Sequence, residues 1–131
     1  MFASSFAALY AAHMLADHWV QTQSQATRKV LPGNPGRIAC LQHIGTYTLT
    51  AGLALLLVGN RTGLTLHPMA VCAGLVFSAA THYIADRRVP LRRVADWLGK
   101  DSGWLDRGGG MYALDQAWHV TCLFASALII A

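Results

Sequence analysis

His13 and Asp17, His82 and Asp86, and Asp115 and His119 form three pairs of titratable residues, each four positions apart and each inside an apolar stretch long enough to cross a membrane. Ionisable groups in hydrocarbon are costly and turn towards a bundle interior, a partner or a water-filled cavity. The chain is therefore restricted to folds that bring these three helix faces together. The order inverts in the last pair, which reads Asp then His, and a further apolar stretch carries His43 alone. Inversion is what antiparallel packing requires if like residues are to reach like depth.

Composition agrees with a membrane setting, since 54% of the 131 residues are hydrophobic and only 12% are charged. A soluble domain carries about twice that charge. Four segments approach the ~20 residues needed to span a bilayer core: about 2–21, 38–59, 64–86 and 111–131. The expected fold is all-α, a four-transmembrane-helix antiparallel bundle forming one integral membrane domain over 1–131. The first apolar run has no basic region before it and continues into His13 and Asp17, which reads as a retained span rather than a cleaved signal. Cys40, Cys72 and Cys122 stand singly without Cys-x-x-Cys spacing and read as packing thiols.

Loop charge sets the expected orientation. Arg28, Lys29 and Arg37 lie in the first connection, Arg87, Arg88, Arg92, Arg93, Lys100 and Arg107 in the third, and only Arg61 in the second. Basic loops stay in the cytosol, so the first and third connections face inward and both termini outward. This accounts for the net positive charge without a nucleic-acid partner and favours anionic lipid. In the third connection, Leu91, Val94, Ala95 and Leu98 recur with helical spacing after Pro90, which predicts a short amphipathic helix on the cytosolic surface between the third and fourth spans. The glycines from Gly99 to Gly110 predict a flexible loop beyond it. Trp19, Trp97, Trp104 and Trp118 all fall on the cytosolic side, as an interfacial belt would.

With that orientation, Asp17, Asp86 and Asp115 form a layer nearer the cytosol. His13, His82 and His119 lie ~6 Å deeper, at 1.5 Å rise per residue, with His43 at similar depth. Positions i and i+4 share a helix face, so His13, Asp17, His43, His82, Asp86, Asp115 and His119 converge as candidate metal ligands. Carboxylate and imidazole on facing helices is how metal-binding bundles are built, although those commonly use Glu, which this chain lacks entirely. The shorter Asp demands close helix approach, which Ala8, Ala12, Gly45, Ala79 and Ala113 would permit. Mixed imidazole and carboxylate ligation suits one or two transition-metal ions, Zn, Fe or Mn. Gln21, Thr46, Tyr47, Tyr83 and Gln116 lie within a turn of these ligands and are placed to orient them. His18 reads as an interface residue, and His67 falls on the opposite side of the membrane. A metal-free hydrogen-bonded or proton-relay network is the alternative reading of the same residues.

The ordered motifs A-H-M-L-A-D-H-W-V-Q at 12–21, L-Q-H at 41–43, T-H-Y-I-A-D at 81–86 and L-D-Q-A-W-H at 114–119 resemble a domain-of-unknown-function family of small polytopic membrane proteins of bacteria and phages. The resemblance covers nearly the whole chain and implies a bacterial cytoplasmic membrane location. Its signature positions correspond to His13, Asp17, Gln21, His43, His82, Asp86, Asp115, Gln116 and His119. The intramembrane His-x-x-x-Asp style is also similar, more loosely, to inner-membrane proteins described as metal-dependent hydrolases. The expected function is a metal-dependent hydrolase of a lipid-like or anionic substrate. Asp17, Asp86 or Asp115 would serve as catalytic base, with Arg87, Arg88 and Arg92 holding the anionic group. Competing expectations are a His-rich di-iron oxidase or hydroxylase, and a non-enzymatic metal or proton conduit or interaction module. Membrane lipid is the expected surrounding partner, and a homo-oligomer is compatible with the sequence.

Overall fold

The computed structural model of residues 1–131 is entirely helical. In chain order it contains α1 (Phe2–Leu15), a π-helical turn (Ala16–Val20), α2 (Gln23–Arg28), α3 (Gly33–Thr62), α4 (Pro68–Asp86), α5 (Val89–Trp97), α6 (Ser102–Arg107) and α7 (Gly110–Ile130). Three helices, α3, α4 and α7, are long and apolar enough to cross a membrane.

The first expected span is not one regular helix. Its α-helical part stops at Leu15, and the next five residues widen into the π turn, closed by the Gln21 amide donating to the Ala16 carbonyl at 2.8 Å. The chain then leaves the helix axis at Gln21, where ψ is 125°. A short helix follows, started by a capping box in which Thr22 and Gln25 satisfy each other's backbone amides. The Pro- and Gly-rich stretch at 32–36, which lies between the first two expected spans, is also partly helical. Pro35 lies in the first turn of α3, where its missing amide costs nothing. The third helix starts at Pro68, four residues later than expected, because Leu64–His67 is non-helical and Pro68 supplies a natural first position. In the expected flexible loop, Asp101 caps the Trp104 amide at 2.7 Å and nucleates α6.

Helices α1, α3, α4 and α7 touch in a closed ring, α1 on α3 and α7, and α4 on α3 and α7. Phe2 and Phe6 meet Phe124 while His13 stacks on His119, so α1 and α7 run antiparallel. Tyr47 meets Ser78 and His43 meets His82, which sets α3 antiparallel to α4. One end, here the base, carries α2, α5 and α6. The other, the crown, carries both termini and the Gly63–His67 turn.

Burial is inverted relative to a soluble domain. Eight of the 28 buried residues are polar, namely Ser5, His13, His43, Ser78, His82, Asp86, His119 and Ser126, while Leu49, Leu53, Leu56, Leu57, Val76 and Leu128 lie exposed. An exposed apolar surface on that scale belongs against lipid or another protein. The apolar core is built on the crown side from Leu9, Ala12, Tyr47, Leu55, Leu123, Ala127 and Ile130. Small residues do set helix separation, but not all at the expected positions. Gly45 and Ala113 are exposed, whereas a Cβ at Gly74 would fall 2.5 Å from the Ile130 side chain, so α4 approaches α7 there at a distance only glycine allows.

Candidate metal centre

Each long helix delivers its His and Asp to one place near the base. His13 and Asp17 come from the end of α1 and the π turn, His43 from the third turn of α3, His82 and Asp86 from the last turns of α4, and Asp115 and His119 from the first half of α7. The pairs at i and i+4 point together as helix geometry requires. His13 Nδ1 lies 3.6 Å from Asp17 Oδ2, His82 Nε2 3.5 Å from Asp86 Oδ2, and His119 Nδ1 3.6 Å from Asp115 Oδ2. All four imidazoles are buried. The His82 ring is central, with centroids 5.2 Å from His43, 5.6 Å from His13 and 4.2 Å from His119.

Four ligand atoms stand out: His43 Nε2, His82 Nε2, Asp17 Oδ1 and Asp86 Oδ2. The two nitrogens are 3.2 Å apart, His43 is 3.4 Å from Asp17 and 3.5 Å from Asp86, and His82 is 3.5 Å from each carboxylate. A tetrahedral ion 2.0–2.1 Å from such ligands would hold them about 3.3–3.4 Å apart. The five separations that involve a histidine nitrogen are thus of metal-ligand length and form two triangles that share the His43–His82 edge. Asp17 Oδ1 and Asp86 Oδ2 are both buried without a hydrogen-bond donor. Buried carboxylate oxygens left unpaired are costly and call for a cation.

A second group adjoins the first. Asp86, Asp115 and His119 bring ligand atoms within 4.8 Å of one another, as do His13, Asp17 and His82. His119 donates from Nδ1 to the Asp115 backbone carbonyl at 2.8 Å, which leaves the Nε2 lone pair free, and Nε2 is buried without a partner. A backbone carbonyl fixing one ring nitrogen is the usual support of a metal-binding imidazole. Asp115 is the most open ligand, with its side chain 23% exposed.

Of the residues expected to orient ligands, Gln116 does so, with its Oε1 3.4 Å from His13 Nε2 and its amide 3.5 Å from Asp115 Oδ2. Tyr47 lies against His82 at a centroid distance of 4.1 Å and bonds Ser78 through its hydroxyl at 2.5 Å, closing the site towards the crown. Thr46 bonds the His43 carbonyl of its own helix at 2.8 Å. Gln21 leaves its buried side-chain amide nitrogen unpaired, and Tyr83 makes no hydrogen bond. His18 bonds Met14 and Tyr112 on the exposed face, and His67 caps α4 at the crown, far from the cluster in the fold.

The three arginines expected to hold an anion divide. Arg87 donates to the carbonyls of Lys29 and Leu31. Arg92 is held by Asp96 at 2.9 Å and Asp106 at 2.5 Å, partners that raise its pKa further above the ordinary arginine value. Arg88 is exposed and joins α4 to α5 with φ at +56°, a left-handed corner uncommon for a side chain of this size. The sequence reading missed Lys29, whose Nζ lies 2.6 Å from Asp86 Oδ1 with both side chains largely buried. Its only signal was a position beside the apolar start of α3, where it was counted as a loop charge.

No family model, curated protein or solved structure matches this chain. The geometry of the residues themselves is therefore the ground for any functional reading.

Proposed function

We propose that the chain is a four-span antiparallel bundle of the bacterial cytoplasmic membrane that holds a transition-metal ion in its cytosolic half and hydrolyses a lipid-like substrate with an anionic group. The single observation that carries the metal is the quartet in which His43 and His82 each lie 3.4–3.5 Å from both Asp17 and Asp86, with its two unpaired carboxylate oxygens. In this reading α1 and the π turn together form the first span, since Phe2–Val20 would extend about 28 Å as a helix. The base faces the cytosol because the basic connections lie there. Trp19 and Trp97, each 83% exposed, mark the interface with headgroups.

His43, His82 and Asp86 are the most buried of the quartet and serve as fixed ligands. Asp17 stands at the fourth corner on the π turn, the kind of local widening that recurs at functional sites. Its role is to yield that corner to water and accept the proton. A bound ion would supply acidification of that water towards a pKa of ~7. Asp115 is the most exposed of the site carboxylates, and Arg88, the one of the three expected arginines without an acceptor, is offered to an anionic headgroup at the base. The second reading is a structural metal that staples α1, α3 and α4, favoured by the supply of four ligand atoms by the protein itself.

Protein purified in detergent without chelator should carry metal at near-stoichiometric level and cleave long-chain fluorogenic carboxylic or phosphoric esters in mixed micelles. Chelation and Asp17→Asn should each abolish turnover, with Asp17→Asn retaining most of the metal. Bound metal without turnover on either ester class would leave the structural staple, and less than a tenth of an equivalent of metal would remove both readings. Orientation is tested by a cysteine-free variant, in which Thr62→Cys should react with an impermeant reagent on intact cells and Asn34→Cys should not.

A further inference from the structure

The ligand-rich interior holds more donor atoms than one ion uses, and one cation of the chain already lies among them. Lys29 reaches Asp86 Oδ1 at 2.6 Å, on the oxygen opposite the one that belongs to the quartet. Its position is built rather than incidental, because Arg87, the residue after Asp86, donates to the Lys29 backbone carbonyl. Backbone and ammonium of Lys29 are thus both tied to the end of α4. Asp86 also belongs to the group with Asp115 and His119, where the buried His119 Nε2 has no partner.

We infer that the Lys29 ammonium stands in for a second metal ion, so that the site takes one divalent cation and the Asp86, Asp115 and His119 group is a latent second metal site. This rests on the metal-centre reading above and fixes its stoichiometry. Charge decides it. Metal binding requires ionised carboxylates and neutral imidazoles, so Asp17, Asp86 and Asp115 with Lys29 leave two negative charges. One divalent ion cancels them. A second would leave two unbalanced positive charges, or one even with a hydroxide bound, in an apolar interior where uncompensated charge is heavily penalised. With the ammonium removed, three carboxylates and one hydroxide balance two divalent ions. The latent site then has three protein ligands and room for solvent at the fourth corner, the arrangement of an open zinc site.

Full-length protein in detergent, stripped and reloaded with Co²⁺ or Zn²⁺ at neutral pH and desalted, should hold one equivalent per chain. Lys29→Met should hold two and Lys29→Arg one, with Lys29→Gln as the polar neutral substitute should the methionine variant fail to fold. Two equivalents in the wild type, or one or none in the folded neutral variants of a metal-binding wild type, would overturn the inference. Wild-type stoichiometry alone decides against it if it is two, whatever the variants do. One equivalent throughout leaves the metal centre standing and removes only the role of Lys29, whereas no metal in any variant removes both.

Discussion

The base and the crown of the same four helices are built on opposite principles. At the crown Leu55, Leu123, Ala127 and Ile130 fill the interior, and the few buried polar atoms are hydroxyls: Ser126 Oγ is satisfied by its own helix at the Cys122 carbonyl, while Ser5 Oγ and Thr48 Oγ1 lack a partner. At the base, four buried imidazoles and the carboxylates of Asp17, Asp86 and Asp115 occupy the same space with several polar atoms unpaired. The crown is held by apolar contact, and its unpaired groups are neutral hydroxyls. The base leaves its polar atoms unsatisfied unless a cation or protons join them. The Tyr47–Ser78 bond marks the boundary. The contrast teaches that cohesion and chemistry are separated along the helix axis, so each can be perturbed alone.

The largest effects should come from the base. His82→Ala should lower bound metal by about tenfold or more, since loss even of a supporting residue around a metal costs 10–100-fold. Asp86→Asn should do the same and also destabilise the fold by about 3–5 kcal/mol, because Lys29 is left buried without its counter-charge. Metal content and thermal unfolding in detergent measure the two, and a full metal load in both variants would place the ion elsewhere. Acid should act on the base alone. Imidazoles must be neutral to bind metal, so acidification should release the ion with uptake of protons, and neutralisation should restore the load. Metal release that takes up no protons would exclude histidine ligands.

Next in size is a change at the crown. Leu55→Ala should cost about 2–5 kcal/mol through the cavity it leaves, with the metal equivalent unchanged in the folded fraction. Loss of metal in step with stability would show that the two ends are coupled. At the boundary, Tyr47→Phe should cost about 1 kcal/mol for the Ser78 bond and alter the metal little. His67→Ala, at the far end, should change neither quantity; metal loss there would invert the assignment of base and crown.

The His and Asp residues of the site were legible because helix periodicity converts a spacing of four into a shared face, and the reversed pair on α7 matches its antiparallel course. The long helices α3, α4 and α7 were legible from apolar length. Other features were not, for identifiable reasons. Lys29 pairs with Asp86 across 57 positions, and no local pattern signals so distant a contact. Helices α2 and α6 hold six residues each and depend on caps by Thr22 and Asp101 rather than on periodic apolar residues. Gly74 rather than Gly45 permits the close helix approach, because that depends on which face meets a neighbour. Arg87 and Arg92 looked free in sequence, yet the fold gives both intramolecular acceptors.

The π turn stores one residue of slack in the first segment. A widened turn carries an extra residue within the helix, and excising one residue between His18 and Val20 would let it relax to ordinary α geometry. Five residues of a π turn wind about as far around the axis as four of an α-helix, so the Thr22 cap and the approach of Lys29 to Asp86 would keep their places, as would the spacing of His13 and Asp17. A library of single-residue deletions should therefore find this segment more forgiving than the uninterrupted interior of α3, where no widened turn absorbs a lost residue.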